Sequence, residues 1–193
     1  MKNYEKIKNT LVSAEEEKAF KLLKSIEMDI AVYSSSLIDS FVVLKPCQVK
    51  NDIALLLADM SKEDFVPIVI NDVKKYLNGE DIGSLIYALL DKNIGNYIVD
   101  IIDILCNLNP KKDNFEAFEM IHLILKEYEG KVSKKDIDTS VLLINNTLKS
   151  VDKNEQRYNY ISWCLNWLLQ KKAILEFIDK MEQKPEISLC DSH

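Results

Sequence analysis

Asp113-Asn114-Phe115-Glu116-Ala117-Phe118-Glu119-Met120-Ile121-His122-Leu123-Ile124-Leu125-Lys126-Glu127-Tyr128 decides the fold class. Asp113 with Glu116 has the form of a capping box, in which each side chain satisfies a backbone N–H that the first helical turn leaves open. The run that follows carries its apolar residues at helical spacing, with Phe118 directed to the core, and reaches Tyr128 before Gly130 stops it.

The same device recurs on both sides. Ser133 to Asp136 opens a helix to about Lys149, and Asp152 to Glu155 opens one through Tyr158, Ile161, Leu165 and Leu168 to about Met181. Upstream, Asn93 precedes a long segment from Ile94 to Leu108 that Asn109-Pro110 ends, and Asp81 caps a shorter one from Ile82 to Leu90. Ser61 to Asp64 caps a helix bearing Phe65, Ile68, Val69, Val73 and Leu77, with Pro67 early enough to be tolerated and Asn78-Gly79 as its stop. Nearer the N-terminus, Ser13-Ala14-Glu15-Glu16 is expected to cap a helix of about five turns holding Phe20, Leu23, Ile26 and Ile30. Ser34-Ser35-Ser36 is expected to interrupt the pattern before Leu37 to Leu44, a segment apolar enough for a short helix or a buried strand and read as helix, and Asn51 to Met60 is again helical.

The capping aspartates Asp81, Asp113 and Asp152 fall 32 and 39 residues apart, the length of a two-helix repeat. Each pair has more apolar surface than it can bury alone, so neighbours must stack. The fold expected is therefore all-α, a short right-handed α-solenoid of antiparallel helix pairs of HEAT-like type, with an irregular helical bundle as the alternative. A single helical-repeat domain is expected over 1–183, with the clearest repeats at 61–182, helices of 1–60 packed on them, and a flexible tail at 184–193.

Composition agrees. The 193 residues suit one domain, and 47% hydrophobic with 29% charged residues is ordinary for a folded chain. Four Gly and four Pro are few for a sandwich or barrel. The N-terminus lacks an apolar signal core and no run is long enough to span a membrane, so a cytoplasmic protein with no membrane partner is expected. A net charge of −6 and a single arginine, Arg157, argue against nucleic acid as a partner and against a site built from guanidinium forks.

Little in the sequence points to catalysis. His122 sits among apolar neighbours without a second histidine, a phosphate-cradling glycine loop or a nucleophile elbow, so no enzyme activity and no cofactor are expected. Cys47, Cys106, Cys164 and Cys190 are far apart and form no CxxC pair, which makes structural zinc or a disulfide framework an unsupported reading; no metal is expected. Trp163 and Trp167, four apart, read first as core packing and second as aromatic anchors for a partner.

The carboxylates are unevenly placed. Residues 80–120 hold eight of them against Lys92, Lys111 and Lys112, so this stretch alone carries a charge of −5. Asn96, Asp100, Asp103 and Asn107 recur on one helical face, and Asp100 with Asp103, like Glu116 with Glu119, places like charges three apart, which disfavours a helix by a few tenths of a kcal/mol unless a cation is near. A solvated face is the plain reading and a basic partner the functional one. The partner-binding candidates are therefore Asp100, Asp103, Glu116, Glu119, Asn96, Tyr97 and Asn107.

Gly83-Ser84-Leu85-Ile86-Tyr87-Ala88-Leu89, then Tyr97-Ile98-Val99-Asp100-Ile101-Ile102, then Glu116-Ala117-Phe118-Glu119-Met120-Ile121 together form a recognisable pattern. It resembles the HEAT-repeat-type immunity proteins of bacterial polymorphic toxin and contact-dependent growth inhibition systems, whose central region runs G-x-L-x-Y-A-L, an apolar helix, and a helix containing E-A-x-E-I-I. The likeness spans about residues 61–130. It implies a small cytoplasmic antidote that binds a cognate toxin domain, nucleases being common among such toxins, and occludes its active site with an acidic surface. A general HEAT-like adaptor shares every feature quoted. An enzyme of the helical-repeat DNA glycosylase type shares the fold but needs a basic groove, against the charge found here.

Overall fold

Aliphatic residues at three- and four-residue spacing, with few breakers between them, leave the backbone little alternative to helix. The structure is a computed structural model that describes residues 2–13, 15–60, 65–77, 82–108 and 115–182, and among these every regular element is helical. In chain order they are α1 (Lys2–Ser13), α2 (Glu16–Ile26), a 3-10 turn (Glu27–Asp29), α3 (Ile30–Val43), α4 (Gln48–Asp59), α5 (Val66–Lys75) and α6 (Ile82–Tyr87). A second 3-10 turn (Gly95–Tyr97) leads into α7 (Ile98–Asn107), followed by α8 (Phe115–Glu127), α9 (Lys134–Leu148) and α10 (Gln156–Glu182).

Neighbours alternate. α2 lies against α4, α4 against α6, α6 against α8 and α8 against α10, while α1 packs on α3, α5 on α7 and α7 on α9. The helices thus form two layers that share one core, with Ile53, Val69, Leu85, Ile98, Phe118, Ile137 and Leu168 among the side chains sealed between them. Phe118 is fully buried, as its spacing requires.

Local signals hold where the partner groups lie nearby in sequence. Ser133 Oγ accepts the N–H of Asp136 at 3.1 Å and caps α9. Pro67 falls in the first turn of α5, where its missing N–H costs nothing. The caps expected at Ser61 to Asp64, Asp81 and Asp113, and the tail 184–193, lie outside the described residues.

Several expectations are corrected. Ser13 does not cap α2: its hydroxyl donates back to the carbonyl of Asn9 and ends α1, a helix that the polar first ten residues did not suggest but that Ile7 and Leu11, both buried, anchor. Glu15 stands at the N-cap of α2 with no side-chain bond. The serines do not interrupt a helix either. Ser34 Oγ donates to Ala31 O at 3.2 Å and Ser40 Oγ to Ser36 O at 2.7 Å, so α3 runs through them with these hydroxyls satisfied by its own turns, and it takes in Leu37 to Val43, the segment read as helix. α6 stops at Tyr87, where bonds from Leu89 to Ile86 and Leu90 to Tyr87 tighten the chain before Asp91 takes a left-handed φ of 60° that an aspartate tolerates. Asp152 caps no helix; its Oδ1 accepts the N–H of Asn154 at 2.9 Å in a turn, and α10 starts at Gln156.

The first four helices are tied to the rest by a buried charge. Lys50 on α4 is fully enclosed, its Nζ 2.6 Å from Asp72 Oδ2 on α5, donating to Leu44 O at 2.7 Å and lying over the rings of Phe41 at 4.7 Å and Tyr76 at 5.3 Å. An ammonium taken out of water needs this much compensation, and removing either partner would strand the other in the core. Here the pair is structural: all of the lysine's partners come from the protein and no solvent reaches it.

Candidate functional site

The seven sequence candidates fall into separate places. On α7, Asp100 and Asp103 point from the layer that also holds α5, and a lysine that sequence reading left unconsidered joins them. Lys74 Nζ of α5 sits 2.7 Å from Asp100 Oδ1 and 3.3 Å from Asp103 Oδ2, so one intramolecular cation bridges the like-charged pair. Burial pulls the Lys74 ammonium's pKa down, but the hydrogen bonds to Asp100 and then Asp103 outweigh it, and the net shift is upward. Asn107 Nδ2 donates to both the carbonyl and the Oδ1 of Asp103 at 2.9 Å, which further occupies that carboxylate.

Glu116 and Glu119 belong to the other layer, on α8, where they have no lysine within salt-bridging distance among the described residues. Glu116 is exposed and crosses Gly83 of α6; a Cβ there would lie 2.6 Å from the Cγ and Cδ of Glu116, so the glycine makes room for that side chain. Glu119 is exposed and faces α10, accepting from the hydroxyl of Tyr160 at 3.4 Å.

Around Glu119 the surface is aromatic. Tyr160 stacks on the buried ring of Phe118 with centroids 5.7 Å apart, and the rings of His122 and Trp163 meet nearly at right angles with centroids 4.0 Å apart. Both Tyr160 and Trp163 are half-buried, and Phe115, one helical turn before Glu119, is exposed. The spacing of Tyr160 and Trp163 on α10 puts both on the flank that meets α8. Burial holds the His122 imidazole below its usual pKa, with Lys126 adding to the effect, so the ring is neutral near pH 7 and serves as an aromatic wall. Tyr and Trp are residue types enriched at protein–protein interfaces, where large rings serve as anchors, while exposed carboxylates beside them contribute chiefly to orientation and association rate. Trp167, by contrast, is buried and packs the core.

Asn96 and Tyr97 lie elsewhere again, at the loop end of the molecule. Asn96 is exposed and lines a cleft of about 640 Å³ between the loops that follow α6 and α8, together with Asp91, Asn93, Tyr128, Glu129 and Lys131. Tyr128 Oη lies 3.0 Å from Asn93 Oδ1 and 3.2 Å from Lys131 O, and a Cβ on Gly95 or Gly130 would run into that hydroxyl, so the two glycines let the loops close round the ring. Among the described residues, the lining of the cleft includes no histidine or cysteine.

Burial pushes both the Cys106 and Cys164 thiols up, away from the reactive thiolate. Among the described residues no three His, Cys, Asp or Glu side chains converge as a metal site, and no helix is long and apolar enough to cross a membrane. Comparison of the chain with protein-family models, with curated proteins and with solved structures gives no match.

Proposed function

We propose that this chain is an immunity protein: an antidote that binds a cognate toxin domain in the cytoplasm and blocks it by occlusion, without chemistry of its own. Its helix pairs, read as a short HEAT-like α-solenoid, present the α8–α10 face as the docking surface. The observation that carries this reading is Glu119 beside Tyr160, Trp163 and His122, an exposed carboxylate set among half-buried rings on one face. Glu116 adds a second charge on the same helix. The resemblance of the α6 and α8 motifs to immunity proteins supports the choice of partner, and those motifs meet in space where Glu116 crosses Gly83. A toxin of nuclease type has a basic cleft, and an acidic surface would speed encounter with it and compete with its nucleic-acid substrate.

The test is titration of the chain against the product of the gene beside its own, with co-expression as the readout in cells. A one-to-one complex whose affinity falls by about tenfold or more on Tyr160→Ala, in a variant that keeps its helical circular dichroism, supports the reading. Failure of the parent chain to bind or protect against any neighbouring gene product removes it and leaves the HEAT-like adaptor.

A further inference from the structure

α2, α4, α6 and α8 bring their C-terminal ends toward one edge of their layer, and clefts open between them. Phe20, Leu23, Leu55 and Leu56 floor the first, of about 380 Å³, between α2 and α4. Leu55 also lines the second, of about 330 Å³, which reaches Tyr87 and Asp91 of α6 and the turn after it. Asp91 in turn lines the third, the cleft of about 640 Å³ beside Tyr128. Through these shared walls the clefts form one groove across four helices.

The side-chain charge of this groove adds to that of its backbone. A helix C-terminus carries partial negative charge and favours a cation. Here Glu27 directly follows α2, and Asp59 and Glu127 are the last residues of α4 and α8. With Asp52, Asp91 and Glu129 the lining holds six carboxylates against Lys24, Lys92 and Lys131, and Lys92 is already engaged by the carbonyl of Ala58. Among the described residues, Asp59, Asp91 and Glu129 have no cation within salt-bridging distance.

We infer that the groove takes an extended segment of a partner protein that carries lysine or arginine, its apolar side chains on the leucine floor and its cations among the carboxylates. Such a segment satisfies the helix ends and the unpaired carboxylates together, which an acidic or nucleic-acid occupant cannot. Packed helices lie about 8–10 Å apart, so the notches between them admit single side chains rather than a helix of about 10–12 Å diameter. Crossing four helices covers about 27 Å, the reach of an extended segment of about eight or nine residues. The inference is independent of the toxin-binding reading, which uses Glu116 and Glu119 near the start of α8 rather than its end.

Fluorescence anisotropy of a labelled peptide of about nine residues, alternating leucine with lysine and titrated with the full chain at low salt, reads the site. Binding is expected with a Kd on the order of 10–100 µM. The same peptide with glutamate for lysine should not bind, and the one with serine for leucine should bind about tenfold more weakly. Asp59→Asn with Asp91→Asn should weaken binding by about threefold or more. Its urea midpoint should stay the same or rise, because Asp59 ends a helix and Asp91 holds a left-handed φ that asparagine also adopts. Glu116→Gln with Glu119→Gln should leave the peptide's affinity unchanged. The inference is overturned if the leucine–lysine peptide does not bind, if the glutamate or serine peptide binds as well, or if the loss follows Glu116 and Glu119 instead. A lowered urea midpoint in the Asp59 and Asp91 variant would mark those carboxylates as structural and overturn it too.

Discussion

Asp100 with Asp103 on α7 and Glu116 with Glu119 on α8 look alike in the sequence, two carboxylates three residues apart in the acidic stretch, yet the fold gives them different surroundings. The α7 pair is bridged from α5 by Lys74 and further held by Asn107, so much of its capacity to receive a partner's cation is already filled. The α8 pair meets a glycine on one side and a tyrosine hydroxyl on the other, with half-buried rings alongside. Like charges on a helix are thus disposed of internally in one case and left facing outward in the other. The second is the surface that the proposed toxin-binding reading uses.

The comparison breaks most severely if the floor under the α8 pair is removed. Phe118 is fully buried and its ring supports Tyr160, so Phe118→Ala is expected to cost about 3–5 kcal/mol in urea unfolding, transfer and cavity effects together. A loss below about 1 kcal/mol would contradict that packing.

On the α7 side the expected effects are smaller. Lys74 is partly exposed, so Lys74→Met should cost about 0.5–1 kcal/mol at low ionic strength, and less in high salt where exposed charges are screened. The pH dependence follows from its raised pKa. A lysine whose folded pKa exceeds its unfolded value stabilises fully below the unfolded value, about 10.4, and loses that contribution as pH rises through the folded one. The gap between parent and Lys74→Met should therefore narrow in alkaline unfolding titrations. A gap independent of both salt and pH would mean that the lysine acts through packing of its stem.

The smallest effect sharpens the aromatic side. NMR titration of His122 should give a midpoint below the unreacted value of about 6.5, because burial and then Lys126 disfavour the imidazolium. With the folded pKa depressed, the stabilisation is complete above the unfolded pKa and is lost as pH falls through the folded one. A midpoint at or above 6.5 would mean that Trp163 does not shield the ring as described.

Much of this molecule is legible in one sequence because its signals are local. Ser133 caps α9 three residues away, Phe118 follows its helical spacing into the core, and Pro67 sits where a first turn accepts it; the all-α class follows from many such elements agreeing. What is misread depends on competition between equally local choices. Ser13 has two carbonyl or amide partners within reach and takes the one behind it, and the serines of α3 satisfy themselves within a helix that their composition argues against. What is invisible is long-range: Lys74 lies 26 residues before Asp100, and Tyr160 lies 41 after Glu119, so neither the neutralised pair nor the aromatic rim has a sequence signature.

The most direct test of the account is the association kinetics of two double variants with the partner proposed above, a toxin domain sought in the product of the neighbouring gene, at about 0.15 M salt, where the screening length is about 8 Å. Glu116→Gln with Glu119→Gln should weaken binding by about tenfold or more, and Asp100→Asn with Asp103→Asn by less than about threefold. Equal losses, or a greater loss from the α7 pair, would contradict the assignment of the α8–α10 face as the binding surface.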